Sequence, residues 1–171
     1  MKFCLLRIFW RDVRGSVLIE GALTLPVLFI LFFGVFEFSW FFLAQHRVST
    51  GVRDAARYIA RTGNSPSDAT VQSNAISIAL SGDTSGSCSS STSTTCRVRG
   101  WFDSTTVHID TSISVACDAP YYCQGGATTM QGVRVWTSFT PNSLGFLGFL
   151  GLGSLGINNL SHTERIVAGG A

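Results

Sequence analysis

The sequence predicts an α+β chain in which a single N-terminal transmembrane helix extends into a small domain with a second helix and about three antiparallel strands. Three observations carry this. Over residues 17–43 charge almost vanishes, with Glu20 and Glu37 alone interrupting a Phe-rich apolar run. Apolar residues then recur at helical spacing from Ala44 to Ile59. Two later segments alternate apolar and polar residues with period two, as half-buried strands do.

The membrane segment comes first. Residues 17–36 supply about 20 largely apolar residues, the length that crosses a hydrocarbon core. Residues 37–43 (EFSWFFL) add the aromatic belt of an interface. A chain of 171 residues has no core large enough to bury so long an apolar rod. The basic residues flanking the span are tied, with Lys2, Arg7, Arg11 and Arg14 before it and Arg47, Arg53, Arg57 and Arg61 after it. The cysteines break the tie. Only Cys4 precedes the span, whereas Cys88, Cys96, Cys117 and Cys123 follow it. Gaps of seven and five residues do not fit the two-residue spacing of zinc knuckles, so two disulfides in an oxidising compartment are expected. Three connectivities are open, and pairing Cys88 with Cys96 and Cys117 with Cys123 needs the least chain rearrangement. The N-terminus is therefore placed in the cytoplasm and the body in the periplasm, across a bacterial inner membrane. Ala44 has bulky Phe42 two places before it, which does not fit a signal-peptidase site, so the span stays attached.

Beyond the span, Ala44, Val48, Val52, Ala55, Ala56 and Ile59 form one apolar stripe while Arg53, Arg57 and Arg61 fall four apart on another face. The helix thus continues out of the membrane until Gly63, which suits a left-handed helix end. Ser65-Pro66-Ser67-Asp68 is read as an N-cap, a first-turn proline and an early acid, starting a second helix with a stripe of Ala69, Gln72, Ile76 and Leu80 beside Ala75 and Ala79. That helix ends near Ser81-Gly82. Residues 82–95 form a Ser/Thr/Gly-rich loop held by cysteine. Val107, Ile109, Thr111, Ile113 and Val115 alternate with polar residues, as do Val133, Val135, Thr137 and Phe139, and residues 160–167 form a weaker third strand. The layout is a basic cytoplasmic leader at 1–15, a transmembrane and extended helix at 16–63, and a periplasmic α+β domain at 64–171. Residues 141–157 (PNSLGFLGFLGLGSLGI) are too broken by glycine for a span; they either dip into the membrane surface or fold as a loop under the sheet.

Several function classes are excluded. A net charge of +2 with scattered basic residues does not make a nucleic-acid surface. His46, His108 and His162 sit on three different elements, so neither a metal nor a catalytic histidine is expected, and no cofactor. No nucleophile elbow surrounds any serine, and Gly125-Gly126 lack a following Lys-Ser or Lys-Thr to cradle a phosphate. An enzyme is not expected.

The informative string is Arg14-Gly15-Ser16-Val17-Leu18-Ile19-Glu20, in which a basic leader meets a glycine and a lone acid follows inside an apolar helix. It resembles the processing site of type IV prepilins, which implies cleavage between Gly15 and Ser16 and an acid at the fifth mature position, Glu20. Leu25-Pro26, the Gly-x-x-Glu-aromatic pattern from Gly34 to Phe38, and Ala55-Ala56-Arg57 extend the likeness. As a set they are similar to the TadE-like family of the tight-adherence (Flp) pilus system. One departure is Gly21, where the pilins of that system carry an aromatic residue. The resemblance implies a membrane-anchored minor pilin or pseudopilin, with other pilin-like subunits, the pilus assembly machinery and a prepilin peptidase as partners.

Physics gives Glu20 its own reason. A carboxylate within hydrocarbon costs about 2.5 kcal/mol or more unless it is neutralised or paired. An α-amino group freed at Ser16 would be a cation at the same depth, available to Glu20 of the same or a neighbouring chain. The alternative is that Glu20 sits at the cytoplasmic headgroups with no partner. Glu37 is expected at the other interface, paired with an arginine such as Arg47 of a neighbour. Against the pilin-like reading stands a signal-anchored periplasmic binding module that uses the Gly-rich segment as a ligand or lipid site. A secreted hydrolase would need a nucleophile, base and orienting acid gathered by folding.

Overall fold

The computed structural model describes residues 14–88, 90, 93–117, 127–140, 145, 148, 151 and 156–166 of the 171. The chain divides into two compact units, Met1–Ser39 and Trp40–Ala171. Helix α1, Arg14–Arg61, is a single 48-residue helix that contributes to both. The other elements are α2 at Ala69–Ser81, a 3₁₀ turn at Ser104–Thr106, and strands β1 at Val107–Ala116, β2 at Thr129–Phe139 and β3 at Ile157–Arg165.

In the first unit, α1 exposes large apolar side chains on every face, from Val17 and Leu18 through Phe29, Phe32 and Phe36 to Phe38. An all-round apolar helix is a membrane solution rather than an amphipathic surface helix, and this one is long and apolar enough to cross a bilayer. Pro26 stands inside it without ending it. The proline has no N–H to give the Ala22 carbonyl, a loss that membrane helices tolerate.

In the second unit the same helix turns amphipathic. Ala44, Val48, Val52, Ala55, Ala56, Ile59 and Ala60 are buried, the stripe the sequence displays. Termination follows the expected chemistry. The Thr62 amide bonds back to the Tyr58 carbonyl at 3.1 Å, and Gly63 takes the left-handed conformation at φ 72°. The start of α2 differs from expectation. Ser65 does not cap it: the Asp68 amide bonds to the Ser65 carbonyl at 3.0 Å, making residues 65–68 a turn with Pro66 at its favoured second place. Asp68 is the cap, its carboxylate accepting the Thr70 amide at 2.7 Å. The buried stripe correspondingly runs through Val71, Ala75, Ala79 and Leu80, leaving Ala69 exposed and Gln72 half-buried. Gly82 closes α2 with φ 92°.

The sheet has the order β1-β2-β3, antiparallel throughout. Val107 and Ile109 stand opposite Thr137 and Val135, on the face that packs against the helices. A bulge between Asp110 and Ile113 then places an extra residue in β1, so that Ile113 and Val115 stand opposite Gly132 and Met130. Cross-strand partners share a face, and Gly132 and Met130 belong to the face away from Val133 and Val135. The apolar series expected to form one stripe therefore splits between two faces. The Asp110 carboxylate stabilises the irregularity by accepting the Ser112 amide at 2.9 Å and its hydroxyl at 2.6 Å. β3 begins at Ile157, buried opposite Phe139, rather than at Leu160. A second bulge at Asn158 and Asn159 lets it do so, with Asn159 at φ 52°, a conformation asparagine tolerates.

Trp101 is fully buried at the centre of this unit. Its ring stacks on Phe139 at 5.7 Å, and its Nε1 donates to Thr137 Oγ1 at 3.2 Å. The threonine hydroxyl in turn donates to the Thr106 carbonyl at 2.8 Å, so the buried polar groups are satisfied. Most of the Gly-rich segment 141–157 lies outside the described residues, as do Cys4, Cys123, Gly125 and Gly126.

Candidate functional site

The residues singled out at the N-terminal end lie on one continuous helix. Gly15, Ser16 and Glu20 fall within the first two turns of α1 and are exposed. Ser16 and Glu20 are four residues apart, which sets them one above the other on one face, about 6 Å along the axis. Leu18, Ile19 and Leu23 surround them with exposed apolar surface. One turn on, Thr24 Oγ1 donates to the Glu20 carbonyl at 2.9 Å, keeping that hydroxyl satisfied within the helix. Among the described residues no hydrogen bond or ion pair reaches the Glu20 carboxylate. Glu37 is half-buried seventeen residues later, and neighbouring Ser39 returns its hydroxyl to the Val35 carbonyl at 2.8 Å.

In the second unit folding assembles groups that the sequence keeps apart. Arg57 Nε on α1 meets Glu164 Oε1 on β3 at 3.3 Å, and His162 Nε2 meets the same oxygen at 2.9 Å. The His162 hydrogen bond, against some desolvation and with help from Arg57, holds the Glu164 carboxyl below its usual range. Arg97 Nη2 pairs with Asp54 Oδ2 at 2.7 Å, its Nε donates to the Ile78 carbonyl at 3.2 Å, and its amide donates to the Leu80 carbonyl at 2.8 Å. Arg97 thus fills the carbonyl end of α2 with a cation and ties it to α1. Neither role was visible in the sequence, because partners 43 and 107 residues apart leave no local spacing signal.

Of the cysteines, Cys88 and Cys96 are joined with Cα atoms 5.1 Å apart. Cys117 is also disulfide-bonded, and Cys123 lies outside the described residues. The three histidines stay dispersed. His46 is exposed on α1, His108 stacks on Trp136 at 3.9 Å, and His162 serves Glu164 from the opposite face of the sheet. Among the described residues no group of three or more His, Cys, Asp or Glu is placed to hold a metal ion.

The architecture defines a class: a protein with one apolar N-terminal helix that suits a membrane anchor, running on into a two-layer α+β body. Residues 15–57, from Gly15 to Arg57, match the family model of TadE-like proteins, so this stretch is similar to that family. No curated protein and no solved structure matches the chain.

Proposed function

We propose that the chain is a membrane-anchored pilin-like subunit, a minor pilin or pseudopilin, serving assembly of a tight-adherence (Flp) type IV pilus or a related secretion apparatus. The observation that carries this is the TadE-like match over residues 15–57, which starts at the Gly15-Ser16 junction and takes in Glu20. The helix is inserted in the inner membrane with its N-terminus cytoplasmic and the body periplasmic. A prepilin peptidase removes residues 1–15, and the new amine at Ser16 pairs with Glu20 of the same or an adjacent subunit. The protein acts by assembly and not by turnover.

The reading is supported by the physics of the helix. Glu20 is a carboxylate on an apolar surface, and such a group needs a counter-charge or a proton. Ser16 is one turn away, the nearest place at which the chain itself can offer a cation once cleaved. Intact-mass measurement of the chain recovered from cells with an active prepilin peptidase tests this. A mature N-terminus at Ser16 is expected, and retention of Met1 on all of the chain removes the processing step from the account.

A further inference from the structure

Two contacts fix the direction in which the sheet runs along α1 inside the unit Trp40–Ala171. Arg57 meets Glu164, whose strand partner is Val133. Nearer the start of the helix, a Cβ on Gly51 would lie 3.1 Å from the Trp101 ring, and that ring stacks on Phe139. Passing from Arg57 back toward Trp40 is therefore passing from Val133 to Phe139 on β2 and from Glu164 to Ile157 on β3. The strand from Val133 to Phe139 spans about 20 Å, against about 9 Å of helix from Arg57 to Gly51. The end of the sheet thus reaches past Gly51 toward Ala44, which is buried.

At that end the chain leaves the sheet and comes back. Phe139 and Ile157 are paired, and a Cβ on Gly156 would lie 3.3 Å from Thr140 Oγ1, so the two ends of residues 141–155 stand side by side. A stretch that must return to its start reaches out over half its length, about 25 Å when fully extended. Its sequence carries Leu144, Phe146, Leu147, Phe149, Leu150 and no charged residue. Three places lie within that reach. The space between the sheet and the helices is already filled by Trp101, Val133 and Val135, all fully buried. The outer face of the sheet near this end is polar, with Ser138, Ser161 and Thr163 around the His108–Trp136 stack. The third place is the surface of α1 on the Trp40 side of Ala44. There Phe42 is 63% exposed and stands edge-on to half-buried Phe41, with ring centroids 6.1 Å apart.

We propose that Phe41 and Phe42 form a docking surface on α1 and that its occupant is residues 141–155 of the same chain. The length of that stretch, the placement of both its ends and its composition all suit this occupant. Its Leu and Phe side chains then leave water together with a ring that the folded body leaves open. The contact fixes the outer part of the β2–β3 connection to α1. The inference stands apart from the pilus reading, since it concerns contacts within one chain and is measured without reference to cleavage or assembly.

The test uses the full chain with Cys4→Ser in phosphatidylcholine vesicles. Phe42→Cys is combined with Leu147→Cys or with Leu150→Cys, and mild oxidation is followed by peptide mass spectrometry of the monomer and dimer bands. A disulfide between the two introduced cysteines of one chain is expected, formed about tenfold faster than when Ser161→Cys on the outer sheet face replaces Phe42→Cys. Bonding chiefly between chains overturns the proposal, because the occupant is then a second copy. Bonding to position 161 as fast as to position 42 overturns it too, since the outer face then holds the segment. No bond from position 42 to either partner leaves the ring to lipid and is equally fatal. Phe42→Ala gives a readout without added thiols: amide hydrogen exchange over residues 141–155 is expected to quicken severalfold while that of β2 and β3 stays as in the parent. Parent-like exchange over 141–155 in this variant likewise sinks the proposal.

Discussion

Gly51 sits in the interior of α1, where glycine is ordinarily about 1 kcal/mol worse than alanine. Its reason is contact: an added Cβ would meet the Ala79 backbone carbonyl and the Trp101 ring. Backbone cannot swing away as a flexible side chain does, so overpacking by about 1–3 kcal/mol outweighs the gain in helix propensity. Gly51→Ala should therefore lower the denaturation midpoint of the body and weaken the near-ultraviolet signal of Trp101. Gly34→Ala, with nothing within 4 Å, should do neither. Glu164 gives a second prediction. Its folded pKa is depressed, so the stability it contributes is present above its unfolded value, near 4.5, and is lost as pH falls through the lower folded value. Urea titrations at pH 7 and pH 3.5 should show a smaller acid loss in Glu164→Gln than in the parent. A difference of the same size in both would refute the assignment. Neither residue was legible in advance. Glycine in a helix reads equally as a breaker or as a contact, and the Arg57–Glu164 pair joins opposite ends of the body's sequence.

At the scale of elements, the loop after α2 is fastened twice. The Cys88–Cys96 bond closes it, and Arg97, the next residue, caps α2 and reaches Asp54. Removing a bridge across a separation of 8 residues frees unfolded-state entropy worth about 2–3 kcal/mol. The double substitution Cys88→Ser/Cys96→Ser should destabilise the body by roughly that much in denaturant titration. Asp54→Asn on the parent background should cost less, because Arg97 keeps its bonds to the Ile78 and Leu80 carbonyls. The α1 stripe was legible because a 3.6-residue period persists from Ala44 to Ile59 without interruption. The α2 stripe was displaced because two start signals compete within four residues, and the Asp68 cap prevails over Ser65 once Pro66 occupies a turn. In β1 the period-two pattern is real, but a bulge at Asp110 turns the chain over and sends Ile113 and Val115 to the other face. A one-residue insertion is invisible to a pattern that counts alternation alone.

Over the whole molecule, the most legible part is the stretch similar to the TadE-like family, since a helix long and apolar enough to cross a bilayer announces itself by composition alone. The body was harder, because its identity rests on long-range pairs such as Trp101 with Thr137. The remaining question is what Glu20 does on an apolar helix. If the carboxylate only tolerates its surroundings, replacing it with glutamine relieves a charge of about 2.5 kcal/mol or more and leaves every behaviour intact or improved. If it holds the freed amine of a neighbouring subunit, glutamine keeps the shape and a hydrogen-bond acceptor but loses the charge-assisted bond, which is roughly twice as strong as a neutral one. Glu20→Gln is accordingly expected to reach parent levels in the membrane fraction and to be cleaved as the parent is, while the yield of assembled pili sheared from the cell surface falls severalfold or more. Glu20→Asp should recover part of that yield, since it restores the charge with a shorter reach. Parent-level pili in the glutamine variant would leave Glu20 as a headgroup residue and remove it from the assembly contact.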